Sequence, residues 1–106
     1  MGKSTVILEK AKQVVNEREM RHGSPVRNLE QIATLWSGYL KQGITPEDVS
    51  IMMIMLKSVR LRNDPTNIDS WTDIAGYAEI GCRCTMTEDY QQYKDMRSND
   101  EDDIFS

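Results

Sequence analysis

Apolar positions recur at helical spacing along most of the chain. Ile7, Leu8, Ala11, Val14 and Val15 form a stripe that predicts a first helix from about Ser4 or Thr5 to Met20. His22-Gly23-Ser24-Pro25 interrupts it, because glycine favours a left-handed stop and proline cannot continue the hydrogen-bond ladder. Leu29, Ile32, Ala33, Trp36, Tyr39 and Leu40 mark a second helix, with Asn28 as its N-cap, Gln31 closing a capping box and Gly43 at its end. The third start is the clearest: Thr45 caps, Pro46 fits the first helical position, and Glu47 and Asp48 complement the dipole.

The stretch from Ile51 to Leu56 is apolar nearly all round, which predicts a central helix. One of its faces is expected against its own chain and another against a second subunit, where Met52, Met53 and Met55 suit an irregular interface. Asn63-Asp64-Pro65-Thr66-Asn67 reads as a turn. A fourth helix follows, capped near Asp69, with Trp71, Ile74, Ala75, Ala78 and Cys82 along one face. Thr87 begins a weaker last helix through Tyr90, Tyr93 and Met96. The fold class is all-α: a compact bundle of four to five helices in one domain over residues 1–97, followed by an acidic flexible tail over 98–106, and assembled as a homo-dimer or homo-tetramer.

Charge sharpens this picture. The 106 residues carry 13 basic and 17 acidic side chains, and four of the acids (Asp100, Glu101, Asp102 and Asp103) lie in the tail. The body is therefore close to neutral, which argues against DNA or RNA as a partner but leaves room for one small anion pocket. The longest apolar run is too short for a bilayer, so no membrane partner is expected. No signal peptide is visible, and Cys82 and Cys84 are spaced poorly for a disulfide, which fits reduced thiols in a cytoplasmic protein.

Two constellations could carry chemistry. The first is acidic. Glu47 and Asp48 open the third helix, while Asp69 and Asp73 share one face of the fourth, so Mg²⁺ could be held between packed helices. The competing reading makes Glu47, Asp48 and Asp69 dipole partners, leaving Asp73 a full turn inside its helix. The second is cationic and aromatic. Lys57 and Arg60 share a face, Trp71 and Tyr77 follow on the next helix, and Arg18, Arg21 and His22 close the first. Arginine gives fork-shaped phosphate recognition and an aromatic face stacks a base. Ion pairing with Asp69 and Asp73, and a core role for Trp71, would explain the same residues. No Gly-rich phosphate loop, zinc motif or nucleophile triad is present in the sequence.

Arg21-His22-Gly23-Ser24-Pro25 with Asn28, Ile32-Ala33-Thr34-Leu35-Trp36, Ile44-Thr45-Pro46-Glu47-Asp48-Val49 and Asp69-Ser70-Trp71-Thr72-Asp73-Ile74-Ala75-Gly76-Tyr77-Ala78 resemble a family of short phage and prophage helical proteins of unknown function. The likeness runs from about Ile7 to Ile80. That family is distantly similar to the all-α, MazG-like nucleoside triphosphate pyrophosphohydrolases, which hold Mg²⁺ with an ExxE pair on one helix and an ExxD pair on the next. Here Asp73 matches one member of the second pair, but position 70 is Ser70, and no ExxE occurs.

The leading expectation is thus an oligomeric phage protein in the cytoplasm of an infected or lysogenic bacterial host, binding a nucleotide or cyclic dinucleotide immune signal as a sponge. It would use Arg21, Lys57, Arg60, Trp71 and Tyr77, and no cofactor. The enzyme alternative is a Mg²⁺-dependent pyrophosphohydrolase using Glu47, Asp69 and Asp73, with Glu47 and Asp73 on the metal. The third is a non-enzymatic module that binds a host protein.

Overall fold

Helix starts follow the short polar side chains that take up free backbone N–H groups. In the computed structural model of the protein, which describes residues 5–95, α1 (Val6–His22) leads into α2 (Pro25–Leu40) through a two-residue link at Gly23 and Ser24. Ser24 Oγ accepts from Arg27 N at 3.3 Å and Pro25 takes the first helical position. So α2 begins about a turn before Asn28, which is inside the helix rather than its cap. It stops at Leu40, where Lys41 adopts a left-handed φ of 55°, not at Gly43.

The third start matches its expectation in detail. In α3 (Pro46–Asn63), Asp48 N donates to Thr45 Oγ1 at 3.1 Å and Thr45 N donates to Asp48 Oδ2 at 3.0 Å, a reciprocal capping box. α4 (Ile68–Cys84) is capped by Asn67, whose Oδ1 accepts from Ser70 N at 3.1 Å, so the cap lies before Asp69. Residues 90–95 are helical as well. No strand occurs among the described residues, and the fold is all-α. The acidic segment over 98–106 lies outside the described residues.

α4, not α3, is the central element: it packs against α1, α2 and α3, and the two most extensive helix contacts, with α3 and with α1, are both its own. Lys10 pairs with Asp69 and Arg83 with Glu19, so α1 runs parallel to α4. Lys57 pairs with Asp73 and Ser50 Oγ donates to Tyr77 O at 2.9 Å, so α3 runs antiparallel to it. The α3–α4 approach is close enough that a Cβ at Gly81 would stand 2.9 Å from Ser50 Cβ. α2 lies across the C-terminal end of α4. There Leu29, Ala33, Val49 and Cys84 form the buried cluster, flanked by Trp36, Met53 and Ile80.

Candidate functional site

The turn between α1 and α2 shapes a cleft. Gly23, at φ 82°, lets its N–H return to Glu19 O at 2.9 Å, and few side chains tolerate that backbone region. The chain therefore reverses at once, and His22, Ser24 and Asn28 meet the middle turns of α4, which carry Asp73 and Tyr77. The cavity between α1, α2 and α4 measures about 300 Å³. Ala11, Val14, Val15, Leu29 and Ile80 supply its apolar floor. Arg18, His22, Ser24, Asn28, Thr72, Asp73 and Tyr77 supply its polar groups. Gly76 also lines the cavity, and a Cβ there would stand 3.5 Å from Val15 Cγ2, an ordinary contact between α4 and α1.

Asp73 is the electrostatic centre of this cleft. Its Oδ2 receives Lys57 Nζ from α3 at 3.0 Å, and both side chains are mostly withdrawn from solvent. Arg18 approaches the other oxygen at 3.9 Å, a charge contact too long for a good hydrogen bond, and its side chain is mostly exposed. Two cations thus face one carboxylate. The tightly held Lys57 answers most of its charge, and the looser Arg18 guanidinium remains at the rim.

The expected ligand residues separate. Tyr77 lines the cleft, and Lys57 reaches it through Asp73. Arg21, Arg60 and Trp71 are not among its lining residues. Trp71 Nε1 donates to Pro65 O at 3.0 Å, so this ring closes the α3–α4 turn. The three carboxylates named for hydrolysis also separate. Asp69 pairs with Lys10 at 3.3 Å on the surface. Glu47 sits at the start of α3, near enough to act on Cys84, which lies about 16 Å along α4 from Asp73 at 1.5 Å per residue. Among the described residues, no three His, Cys, Asp or Glu side chains come together as a group that could hold a metal.

Arg18 and His22 belong to the cationic set read from the sequence, whereas Ser24, Asn28 and Thr72 were not singled out as site residues. A signal was present: Ala11, Val14, Val15, Arg18 and His22 recur at spacings of three and four, which puts them on one helical face.

A second polar cluster lies at the α2–α3–α4 end. Burial pushes the Cys84 thiol up to about 11, helped by the charges of Glu30 and Glu47. Tyr93 is also raised, first by burial, then by the charges of Glu30 and Asp89, and by its hydrogen bond with Glu30. Glu47 Oε1 is buried without a hydrogen-bond partner. Cys82 is exposed and, like Cys84, free. On the other side of the α1–α4 seam a groove of about 610 Å³ is lined by Leu8, Lys12, Asn16, Ala75 and Cys82, among others.

No described helix is long and apolar enough to cross a membrane. Residues 6–85 match a family described as domain of unknown function (DUF6378). Two similar proteins are the Gene 55 protein of Mycobacterium phage L5, 40% identical over 97 residues, and the Gene 55 protein of Mycobacterium phage D29, 42% identical over 80 residues. These alignments cover 89% and 74% of this chain but only 62% and 52% of the relatives, so the chain spans little more than half of their length. No solved structure matches.

Proposed function

Given that the chain belongs to the family described as domain of unknown function (DUF6378), we propose that it is a phage nucleotide-binding protein that captures its ligand in the α1–α2–α4 cleft and holds it chemically intact. The charge balance at Asp73 carries this reading. Lys57 and Arg18 together outweigh one carboxylate, and the rim guanidinium of Arg18 is free to turn toward a phosphate. The apolar floor and the Tyr77 ring offer a place for a base, and Ser24 and Asn28 offer hydrogen bonds to its edges. A cavity of about 300 Å³ suits one mononucleotide-sized group, so a cyclic dinucleotide would enter by one half. Cleavage of a phosphoanhydride needs several carboxylates converging on the phosphates, and here Asp73 answers to two cations while Glu47 and Asp69 face elsewhere.

The finer reading is that of a sponge. A phage protein that holds a host signalling nucleotide withholds it from anti-phage defence, and the relatives of this chain are phage proteins. The test is incubation with nucleoside triphosphates and cyclic dinucleotides, with and without Mg²⁺, followed by denaturation and chromatography of the released ligand. Thermal shift is read in parallel. The expected result is a raised melting temperature, intact ligand, indifference to EDTA, and affinity lowered at least tenfold by Arg18→Ala but not by Arg21→Ala. Mg²⁺-dependent appearance of monophosphate and pyrophosphate, lost in Asp73→Ala, would establish the hydrolase instead. No shift with any nucleotide would favour the host-protein module.

A further inference from the structure

α3 presents an apolar stripe to solvent. Ile51, Met55 and Val59 follow one another at four-residue spacing, and Met52 and Leu56 lie beside them on the same side of the helix. These five side chains are 50%, 56%, 62%, 37% and 45% exposed respectively. The opposite side is occupied: Ser50 and Leu61 are buried, and Lys57 faces Asp73. Ser58, beside the stripe, donates its hydroxyl to Ile54 O at 2.8 Å, so it needs no water or outside partner. Isolated exposed apolar residues are ordinary, but a continuous helical row is the mark of a face that something covers.

We propose that a second copy of this chain covers it, with the two α3 helices antiparallel about a two-fold axis at Met55. Charge selects both the occupant and the direction. On the side of the stripe α3 carries Asp48 in its first turn and Arg62 in its last. Met55 lies midway between Asp48 and Arg62, and midway between Ile51 and Val59. Antiparallel apposition therefore sets Ile51 against Val59 and the acidic end against the basic end. A parallel pair would place like charges together. The face is self-complementary, as an isologous contact requires, and it closes without leaving a free copy of itself. The chain also has use for it: the buried apolar side chains among the described residues are few and mostly small, namely Ala11, Val15, Leu29, Ala33, Val49, Leu61 and Cys84. A small domain with so modest a core gains stability from surface covered by a partner.

This pairing does not depend on what the cleft binds. Its test is cross-linking of the full chain in a Cys82→Ser background, which removes the exposed native thiol while Cys84 stays buried. Met55→Cys is expected to form a disulfide dimer on mild oxidation. Ile51→Cys and Val59→Cys are expected to do so at least tenfold more slowly alone, but readily when mixed. Light scattering of the unmodified chain is expected to give twice the chain mass at micromolar concentration, and Met55→Asp half of that, with its far-ultraviolet circular dichroism unchanged. Equal self-cross-linking at all three positions would mean a parallel pair. A unit-mass species, or a dimer indifferent to Met55→Asp, would mean that α3 is not the interface. Any of these overturns the proposal.

Discussion

Lys57 Nζ on α3 stands 3.0 Å from Asp73 Oδ2 on α4, and both side chains are more than four-fifths withdrawn from solvent at 14% and 17% exposure. This one pair joins the most extensive helix–helix contact among the described residues to the wall of the α1–α2–α4 cleft. It also fixes the carboxylate that Arg18 leans toward, so stability and the charge of the cleft share a residue.

Lys57→Met should therefore destabilise the fold. Removing one partner of a buried pair costs about 3–5 kcal/mol; Arg18 remains to answer Asp73 and some solvent reaches it, so about 2 kcal/mol is expected here. Lys57→Met combined with Asp73→Leu should recover most of that loss, because no uncompensated charge remains. Urea denaturation of the two variants and the parent measures both. A single variant as stable as the parent would show that the pair contributes nothing.

The α3–α4 approach predicts a contrast between two glycines. At Gly81 a new Cβ would meet Ser50 Cβ and Oγ at 2.9 Å, so Gly81→Ala should cost about 1–3 kcal/mol through overpacking. At Gly76 the nearest atom is Val15 Cγ2 at 3.5 Å, an ordinary contact. Gly76→Ala should be neutral, or stabilise by up to about 1 kcal/mol through helix propensity. Thermal melts at matched concentration separate the two.

The start of α2 predicts another contrast. Ser24 supplies the side-chain cap, so Ser24→Ala should cost about 1 kcal/mol. Asn28 is exposed inside the helix, so Asn28→Ala should leave stability within about 0.5 kcal/mol. If Asn28→Ala were the costlier change by denaturant titration, the cap assignment would fall.

The thiols should differ in reactivity and in their effect on pH dependence. Cys82 is exposed and should react with a thiol reagent in the folded protein, whereas Cys84, 2% exposed, should react only on unfolding. The Cys84 thiol ionises near 9.0 when unfolded and about 11 when folded. Between those values the unfolded chain has lost a proton that the folded chain keeps. The stability present below pH 9 should therefore decline as pH rises toward 11. Tyr93, raised for similar reasons from its ordinary value of 10.0, pushes in the same direction above that pH. Cys84→Ala should flatten the alkaline decline in a series of urea melts. An unchanged slope would show that Cys84 does not cause it.

The sequence alone determined the helices. Apolar spacing and the Thr45–Asp48 capping box are local properties, set within one or two turns of backbone, so four helices and their order were readable from it. It placed the boundaries less well where two local solutions competed. Ser24 and Asn28 are both good caps, and the choice went to the residue that precedes Pro25. Asn67 took the cap of α4 for the same kind of reason, leaving Asp69 in the first turn.

Tertiary structure decided what the chemically capable side chains face. Lys57, Arg60, Trp71 and Tyr77 look alike as candidates on two amphipathic helices. Only the antiparallel register of α3 on α4 aims Lys57 at Asp73, lets Trp71 close the turn at Pro65, and leaves Tyr77 in the cleft. Arg18 joins them because α1 runs parallel to α4, a direction that no local signal encodes. Periodicity records which side of a helix is apolar. Which neighbour that side meets depends on contacts between residues tens of positions apart, and those are settled only when the whole chain packs.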